Sequence, residues 1–327
     1  MTDIDLTMRD IYSARTRIAP IAHKTPLVSS PALVELTGSK IALKLECLQE
    51  TGSFKPRGAA NKILSLDPGV QQRGVITVSS GNHGRAVAYV AHCLGLRAVV
   101  CLYETVPANK RDATRKLGAE VVIKGSTYEE ANEEAYRLVE KEGLEMIHPY
   151  DDPVVIAGQG TIGLELLEEF PDLDTVVVPL SGGGLLGGIA FALKSADPKI
   201  HVVGVMMERG PAMVESLRAG RIVDIVEEPT LADALAGGLP PNQYTFALIQ
   251  KTIDETVLVS EQEIAAAMAF ALNQHHLVVE GSGAVGIAAL MAGKIQHLGE
   301  RVAVVISGAN IDMPLLLRIA REHLDCR

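Results

Sequence analysis

Apolar positions along this 327-residue chain fall into two alternating patterns. Short runs rich in β-branched residues are IALKLECL (41–48), GVITVSS (74–80), RAVVCLY (97–103), EVVIKG (120–125), TVVVPL (175–180), HVVGVMM (201–207) and VAVVISG (302–308). Between them lie alanine- and leucine-rich stretches of helical length. Several of the runs are apolar throughout rather than alternating, as strands buried on both faces of a parallel sheet are. The intervening stretches are long enough for right-handed crossovers. The pattern predicts an α/β protein.

No internal repeat and no low-complexity linker divides the chain. Its length calls for two domains, or one large unit with a lobe. The strand runs break into two groups, one closing near HPYDDP (148–153) and the next opening at Thr175.

Composition narrows the function classes. Hydrophobic residues make up 47% and charged residues 21%, so the chain is globular. The formal net charge is −10 with no long basic run, which argues against nucleic acid or an anionic membrane surface as partner. The opening MTDIDLTMRD is acidic and polar, unlike a secretory signal. Thr175 to Leu193 carries no charge, but its proline and five glycines would leave backbone groups unpaired in lipid. Cys47, Cys93, Cys101 and Cys326 show no CxxC spacing, so neither a disulfide framework nor a zinc site is expected, and a reducing cytoplasm fits best.

In open α/β sheets ligands bind at the carboxyl ends of strands, so the loops that follow strands carry the candidate chemistry. SSGNHG (79–84) follows GVITV and precedes a helical run, offering small residues, Ser80, Asn82 and helix-start amides. SGGGLLGG (181–188) follows VVVPL, and its successive glycine N–H groups suit a phosphate. No GK[ST] follows, which excludes an ATP-type P-loop. Gly182, Gly184 and Gly187 do satisfy GxGxxG, and Glu208 near the end of the next strand keeps NAD as a rival guest. ISGANID (306–312) would point Ser307 and Asn310 into the same crevice.

TGSFKPRGAANK (51–62) places Lys55 between Phe54 and Pro56 at the start of a helical run. Shielding by those neighbours and the positive end of the helix both disfavour an ammonium. A lysine whose proton is easily lost suits Schiff-base chemistry. Together with a phosphate-cradling loop it suggests pyridoxal phosphate.

The chain resembles the fold-type II pyridoxal-phosphate family of serine/threonine dehydratases and serine racemases. SFKPRGA, SSGNHG, IAGQGTIGLE, PLSGGGLLGG, ADALAGG and VVEGSGAVG occur in that family's order and spacing over nearly the whole chain. The resemblance implies two open, mostly parallel sheets with helices on both faces, a large domain of residues 1–47 and 151–327, and a small domain of residues 48–150. It implies that Lys55 binds the cofactor covalently and acts as base at Cα. Phe54 would pack on the ring, Asn82 would bond its 3′-hydroxyl, and Ser307 would meet its nitrogen. Ser181, Gly182, Gly183, Gly184 and Leu185 would cradle the phosphate, which displaces the NAD reading. Ser79, Ser80, Asn82 and His83 would seat the substrate, with Ser80 acting on the face opposite Lys55.

The implied activity is elimination of water from a β-hydroxy-α-amino acid such as L-threonine, L-serine or L-threo-phenylserine, followed by hydrolysis of the enamine to a 2-keto acid and ammonia, by a homodimer in the cytoplasm. A serine at the ring nitrogen cannot hold a protonated ring as a carboxylate would, which favours prompt β-elimination. Racemisation is the alternative, although racemases of the family tend to carry an arginine near GSTYEE, where this chain has Tyr128. Members that hold a divalent cation use acids where this chain has Met207 and Met213, so no metal is expected. With only fifteen residues after Asp312, the resemblance leads us to expect no regulatory domain like that of biosynthetic threonine dehydratases. Tyr150 stands where relatives often carry a smaller polar residue, and Glu280 is expected near the ring. VMMERGPAMVESL and VVEGSGAVGIAAL most resemble the hydroxyectoine-utilisation dehydratase branch, whose substrate would be an amino acid derived from hydroxyectoine.

Overall fold

The computed structural model describes residues 4–106, 108–241 and 243–324, so Cys326 lies outside the described residues. Its strands are β1 (Leu27–Ser29), β2 (Lys40–Lys44), β3 (Val75–Val78), β4 (Ala98–Leu102), β5 (Glu120–Ile123), β6 (Glu145–Met146), β7 (Thr175–Pro179), β8 (His201–Met207), β9 (Glu255–Val259) and β10 (Arg301–Val305). They form two sheets. One has the order β1-β2-β10-β7-β8-β9, parallel except for β1, and the other has the order β5-β4-β3-β6, parallel throughout. Helices pack over both sheets, so the fold is α/β with two open, mostly parallel sheets.

The predicted runs become strands because burial on both faces needs unbroken apolar character. Val176, Val177 and Val178 of β7 and Val302 to Val305 of β10 have no accessible surface. The apolar stretch that mimicked a membrane span divides into β7, a glycine turn and the helix Gly184–Ala196. Among the described residues no helix is long and apolar enough to cross a membrane. The pattern missed β1 and β6, too short to show a period, and β9, whose alternating burial marks a sheet edge. The run 41–48 is cut at Lys44, and Glu46–Leu48 coils into a 3-10 turn.

Sheet order decides where the loops converge. In the smaller sheet the chain leaves β3 toward β4 while β6 lies on the other side of β3. In the larger one it leaves β7 toward β8 while β10 lies on the other side of β7. Each is a switch point, where flanking loops part and leave a crevice. The loops bordering the two crevices hold SSGNHG, HPYDDP, SGGG and ISGANID.

Candidate active site

Lys55 is held from both sides of its own loop. Ser53 pairs antiparallel with Gly308, and Phe54 N–H donates to the Ser307 carbonyl at 3.1 Å. Pro56 opens the helix Pro56–Ser65, where its missing N–H removes no hydrogen bond. Lys55 is thus the residue capping that helix, at the positive end of its dipole. Its Nζ donates to the Pro149 carbonyl at 2.8 Å and lies 5.1 Å from the centre of the Phe54 ring.

Lys55 keeps some accessible surface because it lines an open cleft, yet it sits deep in the protein. Burial lowers its pKa from the ordinary 10.5 to about 8, against the opposing pull of the Glu280 carboxylate. An unprotonated amine is therefore accessible near neutral pH. In the cofactor-free protein, acylation of Lys55 followed by peptide mass spectrometry should rise with pH through about 8 and then level off. A midpoint at the ordinary 10.5 would show that the Glu280 charge cancels the effect of burial.

The cleft encloses about 490 Å³ counting its open mouth, within the range of small-molecule sites. It brings together Phe54, Lys55, Asn82, Ser181, Gly182, Gly183, Gly184, Leu185 and Ser307, along with Tyr150 and Glu280. Gly183 adopts φ 94°, ψ −8° and caps the helix Gly184–Ala196, whose first N–H groups have no intrahelical acceptor. A Cβ on Gly183 would lie 2.3 Å from Ile249 Cδ1, and one on Gly182 would lie 2.6 Å from the Tyr150 ring. Only glycine allows this turn under those walls. Ser181 Oγ donates to the Leu235 carbonyl at 3.1 Å, so its hydroxyl anchors the facing loop while its main chain joins the anion nest.

The substrate-side residues are placed differently. Ser79 and Ser80 stand in the turn before the helix Asn82–Cys93, and with His83 they lie outside the walls of the cleft proper. Ser79 Oγ accepts from Gly81 N–H at 3.3 Å. His83 Nε2 lies 2.9 Å from the Ile147 carbonyl, which only accepts, so Nε2 carries the proton and Nδ1 is a buried acceptor without a partner. Burial first, then the Lys55 charge, pulls its pKa down to about 3. The ring stays neutral with its one N–H engaged. What His83 offers an anion is its main-chain N–H at the helix start.

Sequence reasoning did not single out Pro179, Ala234, Leu235 or Ser282 in the cleft, nor Gln243 behind it. Ser282 Oγ accepts from Ala234 N–H at 3.0 Å, and Gln243 Nε2 donates to the Tyr150 hydroxyl at 3.0 Å. ADALAGG was the only signal for the 234–235 loop. Glu208, the acid a dinucleotide would need, instead pairs with Lys294 at 3.2 Å and is no part of the cleft. Met207 and Met213 are fully buried in apolar surroundings. Among the described residues no three His, Cys, Asp or Glu side chains are grouped to hold a metal.

Behind Lys55 lies a buried ionic cluster that the sequence did not reveal. Arg57 forks onto Glu46, with Nε–Oε2 and Nη2–Oε1 both 2.8 Å, and onto Glu165 at 2.6 and 2.9 Å. Lys44 Nζ reaches Glu165 at 2.7 Å and the Thr25 carbonyl at 2.6 Å. Two cations face two carboxylates there, all four side chains almost wholly buried, and a third carboxylate, the partly exposed Glu169, reaches Lys44 at 3.3 Å. Such a cluster holds only while every partner is present. It ties the first turn of the Lys55 helix to β2 and to the helix Pro153–Glu169.

These groups match pyridoxal phosphate part by part. The glycine nest suits its phosphate, a lysine of lowered pKa suits its aldehyde, and the Phe54 side suits its flat ring. Comparison with known proteins agrees. Residues 18–308 match the family model "Pyridoxal-phosphate dependent enzyme". A putative threonine dehydratase of Sinorhizobium fredii is 49% identical over 95% of this chain and 94% of its own. The L-threonine ammonia-lyase of Thermotoga maritima is 46% identical over 98% of this chain and 79% of its own. The solved maize serine racemase superposes with a TM-score of 0.91 at 34% identity, covering 99% and 98% of the two chains. With this cleft and these likenesses, the chain belongs to the pyridoxal-phosphate-dependent enzymes, among the serine/threonine dehydratases and serine racemases of fold type II.

Proposed function

We propose that the chain is an ammonia-lyase that converts a β-hydroxy-α-amino acid, such as L-threonine, L-serine or L-threo-phenylserine, to a 2-keto acid and ammonia. The observation that carries this reading is Lys55, buried, lowered in pKa and facing a cleft with a glycine anion nest at one end. Lys55 would hold the cofactor, the N–H groups of Ser181 to Leu185 its phosphate, Ser307 its ring nitrogen and Asn82 its ring hydroxyl. When bound, pyridoxal phosphate supplies an electron sink that makes the Cα proton of an amino acid removable.

The chain's own residues supply the rest. Lys55, its pKa lowered to about 8 so that a good fraction is neutral near that pH, takes the proton at Cα. The opening N–H groups of the helix Asn82–Cys93, His83 included, receive the substrate carboxylate. Ser79 and Ser80 complete that seat, and Ser80 exchanges a proton on the face opposite Lys55. Tyr150, with its phenol pushed up to about 12 by burial, presents a neutral wall to the substrate side chain. We further propose that residues 48–150 form the smaller domain, that the enzyme is a homodimer, and that it works in the cytoplasm. The free thiols of Cys47, Cys93 and Cys101 support the last point.

The test is ammonia release by the cofactor-loaded enzyme from L-serine, L-threonine, 3-hydroxyaspartate and L-threo-phenylserine. Release from at least one of them supports elimination and ranks what Tyr150 admits. Inversion at Cα without ammonia would overturn elimination in favour of racemisation, the activity in the name of the maize structure.

A further inference from the structure

Arg85, Asn310, Asn82 and Glu280 form one file of hydrogen bonds that ends in the cleft. Arg85 Nη1 donates to Asn310 Oδ1. Asn310 Nδ2 donates to Asn82 Oδ1 at 2.6 Å and to the Thr51 carbonyl at 2.8 Å. Asn82 Nδ2 donates to Glu280 Oε1 at 2.8 Å, and Asn310 N–H donates to Glu280 Oε2 at 2.9 Å. Asn82 and Glu280 line the cleft, whereas Arg85 and Asn310 do not.

An asparagine amide has nearly the same shape either way round, so its partners decide which end is oxygen. Here both ends of the file are decided. A guanidinium only donates, so Asn310 must turn its oxygen to Arg85 and its NH2 toward Asn82. The Thr51 carbonyl only accepts, which demands the same orientation. Asn82 must then meet that NH2 with its oxygen, leaving its own NH2 for Glu280 and the cleft. Hydrogen bonds pointing one way along a chain also strengthen one another.

We propose that Asn310 and Arg85 are positioning residues that fix the direction of this relay, so that Asn82 offers the cofactor's ring oxygen a donor and never an acceptor. The proposal rests on the placement of the cofactor given above. It separates orientation from packing, because Asp keeps the shape of Asn310 while reversing what it presents. In Asn310→Asp an oxygen faces both Asn82 and the Thr51 carbonyl. Asn82 then either keeps its oxygen against the new carboxylate or turns it against Glu280 Oε1, and in both cases two oxygens meet unless one carboxyl takes up a proton.

The experiment is titration of cofactor-free protein with pyridoxal phosphate, read by the visible absorbance of the bound cofactor and by its pH dependence. Asn310→Asp should raise the cofactor Kd at least about ten-fold, the worth of one or two hydrogen bonds, and should shift the pH dependence of the band. Asn310→Ala, which leaves room for water, should weaken binding less. A merely space-filling residue predicts the opposite order, with Ala worse than Asp, and that order would overturn the proposal. Should Asn310→Asp fail to fold, Arg85→Met decides, because it removes the only donor on Asn310 Oδ1 among the described residues and leaves the Thr51 carbonyl alone to hold that amide: weaker binding supports the relay, and an unchanged Kd and band overturn it. The titration reads cofactor binding and not turnover, so its outcome stands even where the elimination reading fails.

Discussion

Replacing Lys55 with alanine is expected to abolish the visible absorbance of bound cofactor and to lower ammonia release at least about a thousand-fold, since covalent attachment and the base at Cα are lost together. The fold should survive. The Lys55 side chain makes one hydrogen bond, to the Pro149 carbonyl, while the Ser53–Gly308 pairing and the Phe54–Ser307 bond belong to the main chain. Removing a buried amine whose burial disfavours its charge should leave the melting temperature unchanged or slightly raised. Lys55→Arg should be as inactive as the alanine variant, because a guanidinium stays protonated at any working pH. Absorbance and ammonia release measured on the same preparations check both effects. Full activity in Lys55→Ala would sink the assignment.

The second large effect belongs to stability. Arg57→Met should cost about 3–5 kcal/mol, because Glu46 and Glu165 would be left buried with only Lys44 between them. Arg57→Lys should recover little of this, since an ammonium cannot fork onto two carboxylates. Chemical denaturation of the cofactor-free protein measures both.

The pH dependence carries a further signature. Burial alone would push the Glu46 carboxyl up, but the Arg57 charge and hydrogen bonds outweigh it and hold the pKa below the ordinary 4.5. A carboxyl lowered in the folded state adds stability above its unfolded pKa and loses it as pH falls through the folded value. Without Arg57 the shift reverses, and protonation then relieves the variant. The stability gap between parent and Arg57→Met should therefore begin to narrow above pH 4.5, as the variant takes up its proton, and go on narrowing below it as the parent loses its charge. A gap independent of pH would mean that lost packing, rather than charge, dominates the cost.

Much of the fold and the cofactor side of the cleft could be read along the chain. Uninterrupted valine runs mark buried parallel strands, because a strand covered on both faces tolerates no polar position. Three glycines ahead of an apolar helix mark an anion nest, and a lysine just before a proline marks a helix start. These are local signals, set by backbone dihedrals and by neighbours a few residues away. The residues of that kind, from Phe54 to Ser307, converge in one cleft.

What local pattern could not convey is which distant groups meet. Lys55 rests on a carbonyl 94 residues away, Arg57 forks onto a carboxylate 108 away, and Arg85 orients an amide 225 away. Lys44 and Glu46 interrupt an apolar run and look like defects until Arg57 and Glu165 are brought to them. The name of a residue also does not say which way its ring points, and His83 turns toward Ile147 because that carbonyl arrives on β6's side of the crevice. Residue type and short spacing were enough to point to the strands, to a glycine turn at a helix start and to a lysine of lowered pKa facing the same cleft. The pairing of charges and the direction of each amide followed only from how the helices, turns and strand ends pack against one another in three dimensions.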